Sequence, residues 1–564
     1  MMADRWRPRI SFVIPAKAVI CQRPMRSNSI SRYLKSIADF WLTASVHFDA
    51  FLFEPRAYLT ATKWWIKRKR VRARGQFAPL LSRSPRAYLL WTVRQERVRR
   101  RHSPIDVDRP IIALIDTRAN CAPKDIAATL ESLASEGLSV LLIGTPETPT
   151  LGAVTSQMDW GKRPWVLPIA AGDRIGPGTA SAYRAAMDDP VRRLIYADDD
   201  LLTGRRRRKP YFKPDWNAEL FAYGDYISGA CIIRPFRSDF EVLEDRPDWA
   251  EQLTAKIAVE TEPLHLPEML HHRRSRPLIS VPAVPLNVAR DLPSVSIIVP
   301  TRNRVDLLRT CLDGVMATHY PDIEVIVVDN DSDDPDTLAY LGQLEPARYK
   351  VLRHAGAFNY SAINNRAVEC ANSRLICLLN NDIEVREAGW LATMATQALR
   401  PEVGAVGARL LYPDGRIQHA GVVIGVGNAA GHAHRFLHPD EEGYFQRHSL
   451  PQFTAAVTAA CLVVEREKFL AVGGLNETDF AVAFNDVDLC LRLNQKGWQS
   501  LYEPRATLIH HESVSRGLDR DSVGSARFSG ELAALKRLWK TDEIYDPYHH
   551  PHLSRASEQF AVAL

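Results

Sequence analysis

Three apolar runs in the second half of the sequence each end in a polar or acidic cluster. Residues 295–299 (VSIIV) lead into Pro300-Thr301-Arg302-Asn303-Arg304, residues 323–328 (IEVIVV) into Asp329-Asn330-Asp331-Ser332, and residues 374–379 (RLICLL) into Asn380-Asn381-Asp382. Turns favour Asn and Asp, so one such tip would mean little. Three in succession deliver carboxylates and carboxamides to one edge of a sheet, where a polar ligand would be held. Further on, Asn485-Asp486 opens a leucine-rich helical stretch, and His510-His511 closes an apolar run. Other clusters carry less. Asp198, Asp199 and Asp200 suggest a metal triad, but adjacent acids on a strand point alternately, so at most two share a face. His549, His550 and His552 lack a regular ligand spacing and read as part of a docking tail.

The elements that must position these residues follow from periodicity. Strand-length runs at 295–299, 323–328 and 374–379 alternate with helical stretches at 305–317 and 362–372. That spacing predicts parallel pairing with right-handed crossovers. A similar pattern stands earlier: runs at 110–117 and 139–144 flank a helix over Asp125–Glu136. A weak internal repeat joins the halves, since SGACIIRPF (228–236) resembles TAACLVVER (458–466), and the histidines of HLPEMLHHRR and YEPRATLIHHES are 239 residues apart. Duplication of one α/β domain is the expectation. The Pro-rich stretch 281–294 marks a linker.

Composition bounds the rest. The chain has 564 residues, 46% hydrophobic and 24% charged, which excludes wholesale disorder and fits two to four domains. Eight cysteines without a CxxC pair argue against a disulfide scaffold or a zinc ribbon, and Cys377, Cys461 and Cys490 read as buried thiols. No run is long enough to predict a membrane span, nor is the start convincing as a signal peptide. The net charge of +6 is uneven: residues 63–101 hold fourteen Lys or Arg against Glu96, a local +13. Trp64, Trp65, Ile66, Phe77, Tyr88 and Trp91 lie among these cations, so the stretch could lie on an anionic bilayer; nucleic acid is the less expected partner.

Together VSIIVPTRNR, VVDNDS, FNYSAINNRAV, LLNND, AFNDVDLCLRL and LIHHESVSRG resemble, in order, the motifs of inverting family 2 glycosyltransferases, in particular the bacterial rhamnosyltransferase-like subgroup that builds surface polysaccharides. The resemblance covers about residues 293–545. It implies the GT-A fold and transfer of a sugar from a nucleoside-diphosphate donor to a glycan acceptor, a lipid-linked one being the family expectation. It further implies that Pro300, Thr301, Asn303, Asp329, Asn365 and Asn381 shape the donor pocket, with Asp329 accepting from the base. Asp382 corresponds to the last acid of the family's Asp-x-Asp motif, and His510 to the histidine that completes the site. Those two would hold Mg²⁺ or Mn²⁺, which prefer oxygen ligands and bridge diphosphates. Asp486 corresponds to the general base. Here Asn380 and Asn485 replace acids of the family pattern, leaving one fewer anionic ligand for the cation. Gly473-Gly474 and GHAHRFLH (431–438) would belong to the acceptor side.

LIYADDDLL (194–202) and PYFKPDWNAEL (210–220) resemble the first half of two-domain members. In that half AAGDRIGP (170–177) keeps only Asp173 of the acidic motif, Gly144 stands at the place of Asp329, and His271 matches the later histidine. The expected organisation is a basic N-terminal arm (1–108), a degenerate GT-A-like domain (109–280), a linker (281–292), a catalytic GT-A domain (293–545) and a tail (546–564). The expected location is cytoplasmic, with peripheral contact at the inner face of the plasma membrane through residues 63–101. A sugar-nucleotide pyrophosphorylase is disfavoured because no Gly-rich loop follows the first strand. The alternative from another class is a non-catalytic scaffold that binds glycan or membrane.

Overall fold

The computed structural model describes residues 29–98, 109–119, 121–204, 206–243, 245–277, 279, 281, 288–511 and 522–564. The expected contributions of residues 1–28, 99–101, 282–287 and 512–518 lie outside these.

A ten-stranded mixed sheet organises the second half. Its strands run in the order Tyr349–Arg353, Ile323–Asp329, Val295–Thr301, Leu375–Leu379, Cys461–Glu465, Val403–Leu411, Gln499–His510 and Ile383–Val385, with Ile417–His419 and Gln452–Thr454 on the flanks. The first four are parallel, as the alternation predicts. Cys461–Glu465 then runs antiparallel to both of its neighbours. All seven residues of Val295–Thr301 and all five of Leu375–Leu379 are buried, because helices cover both faces. Burial of each large aliphatic side chain there contributes about 1.5–3 kcal/mol. Helix Val305–Met316 turns Leu308, Cys311, Leu312 and Val315 inward at helical spacing. Helix Pro335–Gln343 and the edge strand Tyr349–Arg353 have no counterpart among the elements expected from sequence. The strand's pattern is mostly polar and half exposed, as suits a sheet edge.

The first half repeats this plan. Its strands run Ser139–Ile143, Ile111–Asp116, Trp165–Ile169, Cys231–Ile233, Leu194–Thr203, Leu264–Arg273 and Arg174–Ile175, with Arg206–Tyr211 beside Leu194–Thr203. Order and directions match the other sheet strand for strand, apart from its edge strand Tyr349–Arg353 and the flanking strand Gln452–Thr454, which have no counterpart here. Both sheets are mixed, with parallel and antiparallel strands in one layer. The repeated segments coincide with strands Cys231–Ile233 and Cys461–Glu465. The register also moves two sequence alignments by one residue. Ile175 pairs with His271 as Ile383 pairs with His510, so Arg174, not Asp173, takes the place of Asp382. Likewise Ile143 faces Asp116 as Asp329 faces Thr301, so Gly144 is one position late. Short strands with few side-chain landmarks make such slips invisible in sequence.

The basic stretch belongs to a helical module: Ser29–Phe53, Pro55–Ile66, Arg70–Ser82 and Ala87–Val98. Among the described residues no helix is long and apolar enough to cross a membrane. The module is fastened to the first half by Tyr88, which donates to Asp200 at 2.5 Å, and by Trp91, packed on Phe212 and His552. Ser82 accepts from the Val562 N–H, tying in the end of the chain.

Candidate donor and proton-transfer site

Strand ends place the polar tips as one network. The Asn381 carboxamide donates to Thr301 Oγ1 at 3.0 Å, and the Asn330 N–H donates to the Thr301 carbonyl at 2.8 Å. Asn303 adopts a left-handed conformation (φ 53°) that Asn tolerates better than most residues. Its N–H donates to Ser332, its side chain spans Asp333 and Asp334, and the Ser332 N–H donates to Asp329 at 3.0 Å. Pro300 sits opposite Val328 in the parallel ladder. Thr301, Asn303, Asp329 and Asn381 thus line one continuous edge. Arg353 on the neighbouring strand reaches within 3.9 Å of Asp329 and pairs with Asp331 at 3.0 Å.

Asp382 and His510 meet across the far end of the sheet, with Nε2 of His510 at 3.1 Å from Asp382 Oδ1. Burial raises the carboxyl pKa of Asp382, but the hydrogen bond and charge of His510 outweigh it and hold it below the ordinary value. The ring's orientation is fixed by its surroundings. Nδ1 of His510 donates to Gln418 Oε1 at 2.6 Å, so Nε2 is the nitrogen turned to Asp382, with the Asn380 amide 3.4 Å from it. A carbonyl behind a histidine in this way is what orients metal-ligating rings. The donor set fits a divalent cation. His511 turns to the other side and meets Glu384 at 3.0 Å, as alternation along a strand requires.

Asp486 lies in the first turn of helix Asn485–Gln495, whose cap Phe484 is left-handed (φ 63°). Burial raises its pKa, against the Ala459 and Val487 N–H groups, which donate to it at 3.1 and 2.8 Å. The next peptide closes the distance to the other acid: the Ala460 carbonyl accepts from the Asn380 N–H at 3.0 Å, two residues from Asp382. Tyr360 donates to the Ala459 carbonyl at 3.0 Å, and its hydroxyl feels the charges of both Asp486 and Asp382. Asn365 stands apart from this group. Its carboxamide donates to the Leu475 carbonyl and Glu477 and accepts from the Leu475 N–H, so it holds the loop after Gly474. Sequence reasoning missed Gln418 and Tyr360; Tyr360 lies inside FNYSAINNRAV, whereas nothing local to Gln418 marks it.

The equivalent place in the first half is closed by its own cations. His271 is hydrogen-bonded to Tyr183 at 2.6 Å, and burial first, then Lys213, pushes its pKa down to about 3. Asp199 is paired with buried Lys213 at 2.8 Å and with Arg276. Among the described residues, one group of three has the spacing to hold a metal: Asp198, His265 and His550. Asp198 is 3.1 Å from His265 Nε2 and 2.8 Å from His550 Nε2, and Asp215 meets His265 Nδ1 at 3.0 Å. Nδ1 of His550, however, accepts the His552 N–H at 3.0 Å, so a neutral ring carries its proton on Nε2, towards Asp198. The group is better described as a buried charge network that fastens the tail. Of the tail histidines, His550 docks on Asp198 and His552 on Phe212, so the tail's partner is the first half of the same chain.

Residues 296–437 match the family model described as glycosyl transferase family 2. An uncharacterised protein, y4gI, of Sinorhizobium fredii is 39% identical over 422 residues, covering 66% of this chain and 46% of that protein. The O-antigen biosynthesis protein RfbC of Myxococcus xanthus is 34% identical over 481 residues, covering 77% of this chain and 37% of RfbC. An N-acetylglucosaminyl-diphospho-decaprenol L-rhamnosyltransferase of Mycobacterium tuberculosis is 27% identical, covering 36% of this chain and 71% of that enzyme. The chain thus spans less than half the length of the first two relatives.

Proposed function

From a chain that carries a glycosyl transferase family 2 domain, we propose that the second half transfers a sugar, with inversion, from a nucleoside diphosphate to a glycan acceptor in surface-polysaccharide synthesis. The observation that carries the reading is the hydrogen-bonded path from Asp486 through Ala459 and Ala460 to Asn380, Asp382 and His510. It ties Asp486 to the strand end that carries Asp382, which supports a proton acceptor working near a cation-competent pair. The names of RfbC and of the rhamnosyltransferase support O-antigen-like or other lipid-linked glycan acceptors.

In this reading Asp329 and the Thr301–Asn303 turn bind the nucleotide, with Asn381 holding the turn in place. Asp382 and His510 would hold Mg²⁺ or Mn²⁺. Once bound, such a cation supplies positive charge that stabilises the diphosphate as it leaves. Asp486 takes the proton of the acceptor hydroxyl as that oxygen attacks the anomeric carbon from the face opposite the diphosphate. Burial favours this role, because a carboxylate short of solvent binds a proton more readily than a free one. The first half serves as a structural or acceptor-guiding domain, since Arg174 takes the ladder position of Asp382 and Lys213 and Arg276 neutralise Asp199.

A screen of nucleotide sugars for cation-dependent hydrolysis and transfer tests the proposal. Asp486→Asn is expected to bind donor and Mn²⁺ as wild type does in calorimetry, yet to transfer on the order of 10²–10⁴ more slowly. Comparable turnover by the variant would refute the assignment. Absence of any saturable, cation-dependent nucleotide heat from the wild type would favour the non-catalytic scaffold.

A further inference from the structure

Helix Ser29–Phe53 exposes its apolar side. Ile37, Phe40 and Trp41 form one group and Phe48, Phe51 and Leu52 a second, two helical turns further along the same helix, and Phe40, Trp41 and Phe48 are 60–67% exposed. Over residues 37–52 the stripe is about 22 Å long at helical rise. The two acids within it face inward: Asp39 pairs with Arg94 at 2.9 Å, and Asp49 pairs with Arg86 and accepts from Ser84, both at 2.6 Å. Twelve of the 28 exposed large hydrophobic residues among those described lie between Ile37 and Leu89, so the patch is concentrated rather than scattered.

Cations stand beside it. Lys63, Lys67, Arg68, Lys69, Arg70, Arg72 and Arg74 are exposed, and no acid occurs between Pro55 and Gln95. Arg70 lies over the Trp65 ring at 3.8 Å and Arg72 over Trp64 at 4.5 Å, the pairing of an aromatic with a charged head that suits a water–lipid boundary. We infer that this helical module docks on an anionic lipid bilayer, with the stripe lying in the headgroup region and residues 63–74 against the lipid phosphates. A second copy of the chain fits less well, because it would bring two such sets of cations together. The apolar contribution comes chiefly from residues 37–53, outside the basic stretch that the sequence singles out. Because Tyr88, Trp91 and Ser82 fasten the module to both the first half and the chain end, docking would fix the orientation of the molecule.

Flotation of the full chain with vesicles tests this without any turnover, so its outcome is independent of the glycosyltransferase reading. Vesicles of phosphatidylcholine with phosphatidylglycerol should bind the protein at least tenfold better than phosphatidylcholine alone, and high salt should erase the preference. Phe40→Ser with Phe48→Ser, and separately Lys67, Arg68, Lys69 and Arg70 all changed to Gln, should each weaken binding about tenfold or more. Circular dichroism would verify that the variants remain folded. The inference is overturned if binding ignores lipid charge, if folded variants of either set bind as wild type does, or if the stripe variants instead abolish a dimer seen by light scattering.

Discussion

At the scale of single residues, the site depends on how its neighbours set proton positions. Gln418 accepts from one nitrogen of His510 and so leaves the other free to face Asp382. Gln418→Leu should therefore lower Mn²⁺ affinity about 10–100-fold, measured by calorimetry in the presence of nucleotide, while leaving the fold intact. Asp486 carries a pKa raised by burial, and a proton acceptor must be ionised to act. Transfer should fall as pH drops through that raised value, so the acidic limb of the pH–rate profile should lie above the 3.8 of an ordinary Asp. Residue types were legible here. Thr301, Asn303, Asp329, Asn381, Asp382, His510 and Asp486 all stand in one connected region. Asn365 had the same kind of motif behind it but spends its carboxamide on a loop, which no residue type announces.

At the scale of elements, loops after strands and before helices do the positioning. Gly474 shows how tightly. Its φ is +68°, and a Cβ there would come within 2.6 Å of Asn365 Oδ1. Gly474→Ala should destabilise the protein by about 1–3 kcal/mol in chemical denaturation, because both the backbone and the contact are strained. Gly473 also has positive φ but meets nothing within 4 Å, so Gly473→Ala should cost less. The Gly-Gly pair was visible in sequence as a permissive backbone; which member is sterically required was not. The parallel core strands were legible because continuous aliphatic runs admit few other readings. The edge strand Tyr349–Arg353 was not, since an edge needs little hydrophobic pattern.

At the scale of the whole molecule, the tail and the first half share buried charge. Asp198 contacts His265 and His550, and although burial opposes its charge, these histidines hold its pKa well below the ordinary range. Since its folded value is depressed, its contribution to stability is present above about 3.8 and is lost as pH falls below that toward the folded value. Asp198→Asn should accordingly lower stability at neutral pH by about 3 kcal/mol, read from urea midpoints, with the difference from wild type shrinking in acid. The order of the motifs, the duplicated α/β plan and the chemical types at the strand ends were written in the sequence, because period and residue type are local properties. Three things needed the folded chain. Arg174 and not Asp173 takes the place of Asp382, Asp382 and His510 come within 3.1 Å across 128 positions, and acids of the first helix turn inward so that its aromatics face out. Each depends on strand register and on which faces pack together, and a one-residue slip in either reverses every side chain concerned.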